Sequence, residues 1–201
     1  MHLGNPARVP VMCQLAIGHT LLNSGVDPVD YFLDDKTYAR GLLTMRDRYQ
    51  FDGILIHKPG RVSFDDLIDT IDRQNTHPVL QLRDGNRIIC SRDDDPYFIE
   101  EAPIQRPYVT AIDPAQPLSW APESYVRWCR HKGTAVVTAP ESFDAAWFGC
   151  IDIVRQKMGD HCHVHGEVRS PLDHLAALVG LENAMVALIT EPEHTHRLMK
   201  T

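Results

Sequence analysis

The residues with the most chemical potential are histidines at strand-like spacing. His161, His163 and His165 alternate within HCHVHGE. In an extended chain, period two puts all three on one face and Cys162 and Val164 on the other. Imidazoles grouped in this way could ligate zinc or a similar metal. In the plainer reading, His161 begins the strand in solvent and only His165 lies near the strand end. His165 and Glu167 are then candidates for substrate contact, with His165 as a catalytic acid/base. His19 and His57 also follow short apolar runs, and each is a second candidate for proton transfer or a rim histidine bonded to backbone. Gln14, Lys58 and Arg169 complete the set. Lys58 and Arg169 suit an anionic tail, Arg169 through a bidentate fork, and Lys58 also reads as a solvated loop residue. The acids Asp93, Asp94 and Asp95 read as a solvated loop, and His194 and His196 as solvent-facing.

The elements that must position these groups alternate. Val9 to Ile17 and Phe51 to His57 read as short buried strands, and His161 to Glu167 as a third. Asp34 to Gln50 reads as a helix capped by Asp34 or Asp35, with Tyr38, Leu42, Met45 and Tyr49 on one face. A second helix is expected from Ser63, burying Phe64, Leu67, Ile68 and Ile71. Residues 78–92 carry a hairpin signal, with Asp84-Gly85 at its turn. Asp93 to Pro122 reads as an irregular excursion. Helices are expected at 123–131 and 142–158, then at 171–179, 181–190 and 192–200, the last with Pro192 in its first turn. Buried strands alternating with amphipathic helices imply parallel βαβ units, whose chemistry sits at the carboxyl ends of the strands.

Composition narrows the function classes. The chain has 201 residues and a formal net charge of −7, which disfavours a nucleic-acid surface. No apolar run approaches the ~18 residues of a membrane span, and the first residues lack the pattern of a signal peptide. Five scattered cysteines without a CxxC pair suit a reduced cytoplasm better than a disulfide framework.

PVMCQLAIGHTLL, FDGILIH and HGEVRSPLDHLAALVGLENAMVALITEPEHTHRLM together resemble the uroporphyrinogen decarboxylase superfamily. The most specific part is the tail, with Gly166, Pro171, Gly180-Leu181-Glu182-Asn183 and Glu191-Pro192-Glu193-His194. The resemblance spans nearly the whole chain and is weakest between Gln74 and Trp120. It implies a TIM (β/α)8-type barrel of about twice this length. Residues 1–201 would then be one domain holding only the first few β/α units, with the hairpin as an excursion. A missing C-terminal half is the partner such a partial barrel is expected to need.

Within the superfamily, true decarboxylases look like P-V-W-C-M-R-Q-A-G-R-Y after the first strand. On Pro10 to Thr20 the arginine positions fall on Leu15 and His19. Leu15 cannot bind a carboxylate. The decarboxylases also carry F-S-D after the second strand, where this chain has His57-Lys58-Pro59. The corrinoid-dependent methyltransferase branch therefore fits better, and it implies zinc and a corrinoid as cofactors. That branch holds its zinc with His-x-Cys and a later Cys from the family's second half, and none of these ligands falls on a residue of this chain.

The leading expectation is methyl transfer between a corrinoid and a thiol acceptor such as coenzyme M. The partner would be a small molecule or a corrinoid protein, and the chain alone is expected to be inactive. The alternatives are uroporphyrinogen decarboxylation in tetrapyrrole biosynthesis, a zinc hydrolase built on the HxHxH strand, and a non-catalytic partial barrel that binds a partner half.

Overall fold

The computed structural model describes residues 8–56, 65–99, 106–115, 148–167 and 170–200. The chain is mixed α/β and divides into two compact units. One comprises Met1–Glu101 and Phe143–Glu167, the other Ala102–Ser142 and Val168–Thr201.

The first unit is built on three parallel strands: β1 (Met12–Cys13), β2 (Gly53–Ile56) and β7 (His163–Gly166), in the order β1-β2-β7. Met12 pairs with Gly53, Gly53 with His163, and Leu55 with His165. Three helices lie between β1 and β2: α1 (Ile17–Ser24), α2 (Pro28–Leu33) and α3 (Asp35–Tyr49). Asp34 caps α3 by accepting from the Thr37 N–H, and Gln50 closes it in the left-handed region at φ 55°. The buried face of α3 carries Tyr38, Leu42 and Met45 at the spacing the sequence shows, whereas Tyr49, expected on the same face, is exposed in the last turn. A further helix, α4 (Gly149–Met158), contributes Cys150 and Val154. These side chains join Ile54, Ile56 and Cys162 in one apolar core, so helices cover one face of the parallel sheet.

Between β2 and α4 runs an antiparallel meander: β3 (Ile68–Asp72), β4 (Val79–Leu82), β5 (Arg87–Ile89) and β6 (Tyr97–Ile99). The Asp84-Gly85 turn joins β4 to β5, with Gly85 at φ 89°, a conformation glycine adopts without strain. Leu80, Leu82 and Ile88 pack on Val29 and Phe32 of α2. Arg73 ties the meander to that helix, reaching Asp27 Oδ1 at 2.5 Å and Asp30 Oδ1 at 2.6 Å. Asp27 is also the cap of α2, accepting from the Val29 and Asp30 N–H groups.

The second unit is helical in its described residues. A capping box starts α5 (Pro171–Val179): the Ser170 side chain accepts from the Asp173 N–H, and the Asp173 carboxylate accepts from the Ser170 N–H. Gly180, at φ 90°, separates α5 from α6 (Leu181–Thr190), and the two bend by 112°. With α7 (Pro192–Lys200) and a short turn at Val109–Ala111 they bury Val109, Ile112, Leu175, Val179, Ala184 and Ala187. His194 is half-buried and does not face solvent as expected. Its Nε2 donates to the Val109 carbonyl at 3.1 Å and the Ile112 carbonyl at 3.0 Å.

Several local expectations differ from the structure. The helix expected from Ser63 is a 3-10 turn at Asp65–Leu67 followed by strand β3. Leu67, Ile68 and Ile71 fit a helical face and a strand equally, and pairing of Ile68 with Leu82 and Ile71 with Leu80 decides for the strand. The first strand stops at Cys13, and Ile17 already begins α1. The third strand begins at His163, because Gly159–His161 is a 3-10 turn with Gly159 at φ 54°. The helix expected at 123–131, and residues 142–147 of the next, lie outside the described residues. No single described helix is long and apolar enough to cross a membrane.

Candidate functional site at the parallel sheet

Parallel neighbours in register point to the same face of a sheet. Met12, Gly53, Leu55, His163 and His165 therefore share the face opposite the helices. Cys162 and Ile54 turn the other way, into the core against α3 and α4. Burial pushes the Cys162 thiol up, against the lowering pull of the Arg46 guanidinium, so this cysteine is an inert packing residue.

On the open face His163 is exposed and His165 half-buried. Their ring centroids are 5.2 Å apart with an interplanar angle of 58°. Gly53 sits directly beside His163 in the register, and Leu55 beside His165. A Cβ at Gly53 would stand 2.9 Å from the Met12 side chain, so glycine is what allows Met12 to lie over the sheet. Met12, Gly53 and Leu55 are the members of this face that the sequence reading missed. Only the strand register, which no local pattern encodes, brings them beside the histidines.

The carboxyl edge is marked by Gln14, which is exposed just after β1, and by Glu167 after β7. The Glu167 N–H donates to the Ile56 carbonyl at 3.1 Å, which carries the β2–β7 ladder one residue beyond the strand. Glu167 thus continues the alternation of His163 and His165 along one edge. His57, Lys58 and Arg169 lie outside the described residues, as does Pro59.

Two expected site residues stand elsewhere. His161 is exposed in the 3-10 turn ahead of β7, so the three-histidine row is reduced to two. Among the described residues, no group of three or more His, Cys, Asp or Glu side chains is arranged to hold a metal ion. His19 does not end a strand. It lies in α1, where its Nε2 shares a 2.9 Å hydrogen bond with the Tyr49 hydroxyl. Its ring stands 5.6 Å from the Tyr49 ring, in the last turn of α3 and ahead of the amino end of β2. Leu15 is half-buried against the core of the first unit.

What the site can do follows from this placement. His163 and His165 lie on one face of β7 beside the apolar floor of Met12 and Leu55, while Glu167 follows β7 and Gln14 follows β1, at the carboxyl ends of the two outer strands of the described sheet. That set suits binding of a small molecule with an apolar body and polar groups, as well as proton exchange or metal ligation through the imidazoles. Comparison with protein-family models, with curated proteins and with solved structures finds no match to this chain.

Proposed function

We propose that this chain supplies the first β/α units of a uroporphyrinogen-decarboxylase-like TIM barrel and serves the methyltransferase branch of that superfamily. Its role is to bind a corrinoid, free or carried by a protein, at the carboxyl edge of the parallel sheet. The observation that carries the proposal is the strand order. Strands β1, β2 and β7 are parallel, consecutive in the sheet, and covered by helices on one side, as successive strands of a (β/α) barrel are. In a barrel the other side is the interior, so His163, His165 and Leu55 would face inward, with Gln14 and Glu167 at the catalytic end.

Two residues favour this branch over decarboxylation. Leu15, at a position where the decarboxylases have an arginine, packs into the core. His19, at the other, is turned to Tyr49. Neither provides the cationic grip that a polycarboxylate needs. When bound, a corrinoid supplies the methyl group. The family's thiol-activating zinc does not fit here, because the sequence contains no His-x-Cys and Cys90, Cys150 and Cys162 are all buried. The chain by itself is expected to bind without turning over.

Equilibrium dialysis with methylcobalamin tests the proposal. Saturable binding, weakened by Gln14→Ala and by Glu167→Ala, with no thiol methylation, is the expected result. Absence of saturable binding would overturn it, and binding of a tetrapyrrole polycarboxylate in its place would return the decarboxylase reading.

A further inference from the structure

The two strand histidines have a spacing that the corrinoid reading does not use. A metal–imidazole bond is about 2.0–2.1 Å, and a ring centroid lies about 1.2 Å behind its nitrogen, so each centroid stands about 3.2 Å from a shared ion. For two ligands at the tetrahedral angle the centroids are then about 5.2 Å apart, and for two at a right angle about 4.5 Å. The observed separation is 5.2 Å. Among the described residues, each ring's neighbour of note is the other imidazole.

The backbone holds this spacing in place. His163 and His165 are two apart on β7, and both are anchored through the ladder to β2, opposite Gly53 and Leu55. On the reverse side, Val164 and Cys162 pack against the core, so the strand cannot roll its histidines apart without opening that core.

We propose that His163 and His165 form a two-imidazole chelate for a divalent transition ion with tetrahedral preference, Zn2+ first among them, with its remaining positions open to water or a ligand. The site goes beyond the corrinoid proposal and does not depend on it. It differs from the three-histidine arrangement read from the sequence, because His161 is on the turn and takes no part. Two protein ligands leave the ion's other positions open, unlike the four-ligand closure of a structural zinc site.

The test uses the full chain with metal alone. Zn2+ is titrated by calorimetry, and Co2+ by its visible ligand-field bands, which are intense in tetrahedral geometry. One ion per chain is expected, with Co2+ selectively shifting the proton resonances of two imidazoles. Loss of a ligand's outer-shell partner typically costs about tenfold or more in metal affinity, so His163→Ala and His165→Ala should each weaken Zn2+ at least as much. His161→Ala should leave it unchanged. The resonance shifts are read on the unsubstituted chain, so the proposal stays testable should either variant fold poorly. An affinity unmoved by both substitutions, an equal loss on His161→Ala, or Co2+ shifts on other histidines would overturn it.

Discussion

Replacing Gly18 by alanine sets two effects of opposite sign against each other. Gly18 is the second residue of α1 and is buried. On helix propensity alone, alanine is better than glycine by about 1 kcal/mol, so the variant would be more stable. Packing says the reverse. A Cβ at Gly18 would overlap the carbonyl of Asp93 and stand 2.9 Å from the Asp94 nitrogen. The obstacle is backbone, which cannot rotate out of the way as a side chain can. The loop is also tethered: Ser91 Oγ donates to Asp93 at 2.6 Å, Arg92 Nε to the Thr76 carbonyl at 2.8 Å, and Tyr97 to Asp94 at 2.5 Å. To clear the methyl group this loop must retreat by about 1 Å or more, and overpacking of this kind typically costs about 1–3 kcal/mol. The net expectation is destabilisation by up to roughly 2 kcal/mol once the propensity gain is subtracted. Urea unfolding followed by circular dichroism measures it as a lower midpoint with an unchanged slope. A Gly18→Ala chain more stable than the parent by the full propensity gain of about 1 kcal/mol would refute the close approach of α1 to the loop after β5.

Further predictions concern the caps. Ser170→Ala removes one half of the capping box of α5 and should cost about 1 kcal/mol in thermal or urea unfolding; no loss would show that the box is idle. Asp34→Ala removes the cap of α3 and should cost about 1 kcal/mol at neutral pH. Burial alone would raise the Asp34 carboxyl, but hydrogen bonds from the Thr37 hydroxyl and from the Thr37 and Lys36 N–H groups outweigh it and hold it below the usual range. A lowered folded-state pKa stabilises above the ordinary value of ~3.9 and is lost as pH falls through the folded value, so Asp34→Ala should flatten the acid limb of stability below about pH 4. An acid limb identical to that of the parent would contradict this.

What the sequence discloses depends on whether a signal is local. Asp34 capping α3, the Asp84-Gly85 turn and the three helices from Pro171 are each set by residues within one turn of one another, and each is found as expected. The alternation of His163 and His165 is local too, and places both on one face. The failures have several causes, only the first of them non-local. Ile68 and Ile71 become a strand because of partners on β4, and His161 falls off the face because Gly159 turns the chain just before it. His19 is lost for a third reason. Ala16 precedes α1 without a side-chain cap and Gly18 lies inside it, so the usual marks of a helix start are missing.

The insertion of the meander between β2 and β7 has a consequence for the order in which the chain can organise. The meander strands β3 to β6 follow one another directly, and each pairs with its nearest neighbour in sequence. The ladder from β2 to β7 joins Ile56 to Gly166, closing a loop of roughly a hundred residues whose entropy must be lost before the pairing rewards it. The meander is therefore expected to nucleate early, with α2 docked on it through Arg73, and the ladder that aligns the two strand histidines to close late. The candidate site is then among the last parts of the first unit to form during folding. A slow phase that removes the His163–His165 contact first on unfolding, while protection of the β4–β5 amides persists, is its kinetic signature.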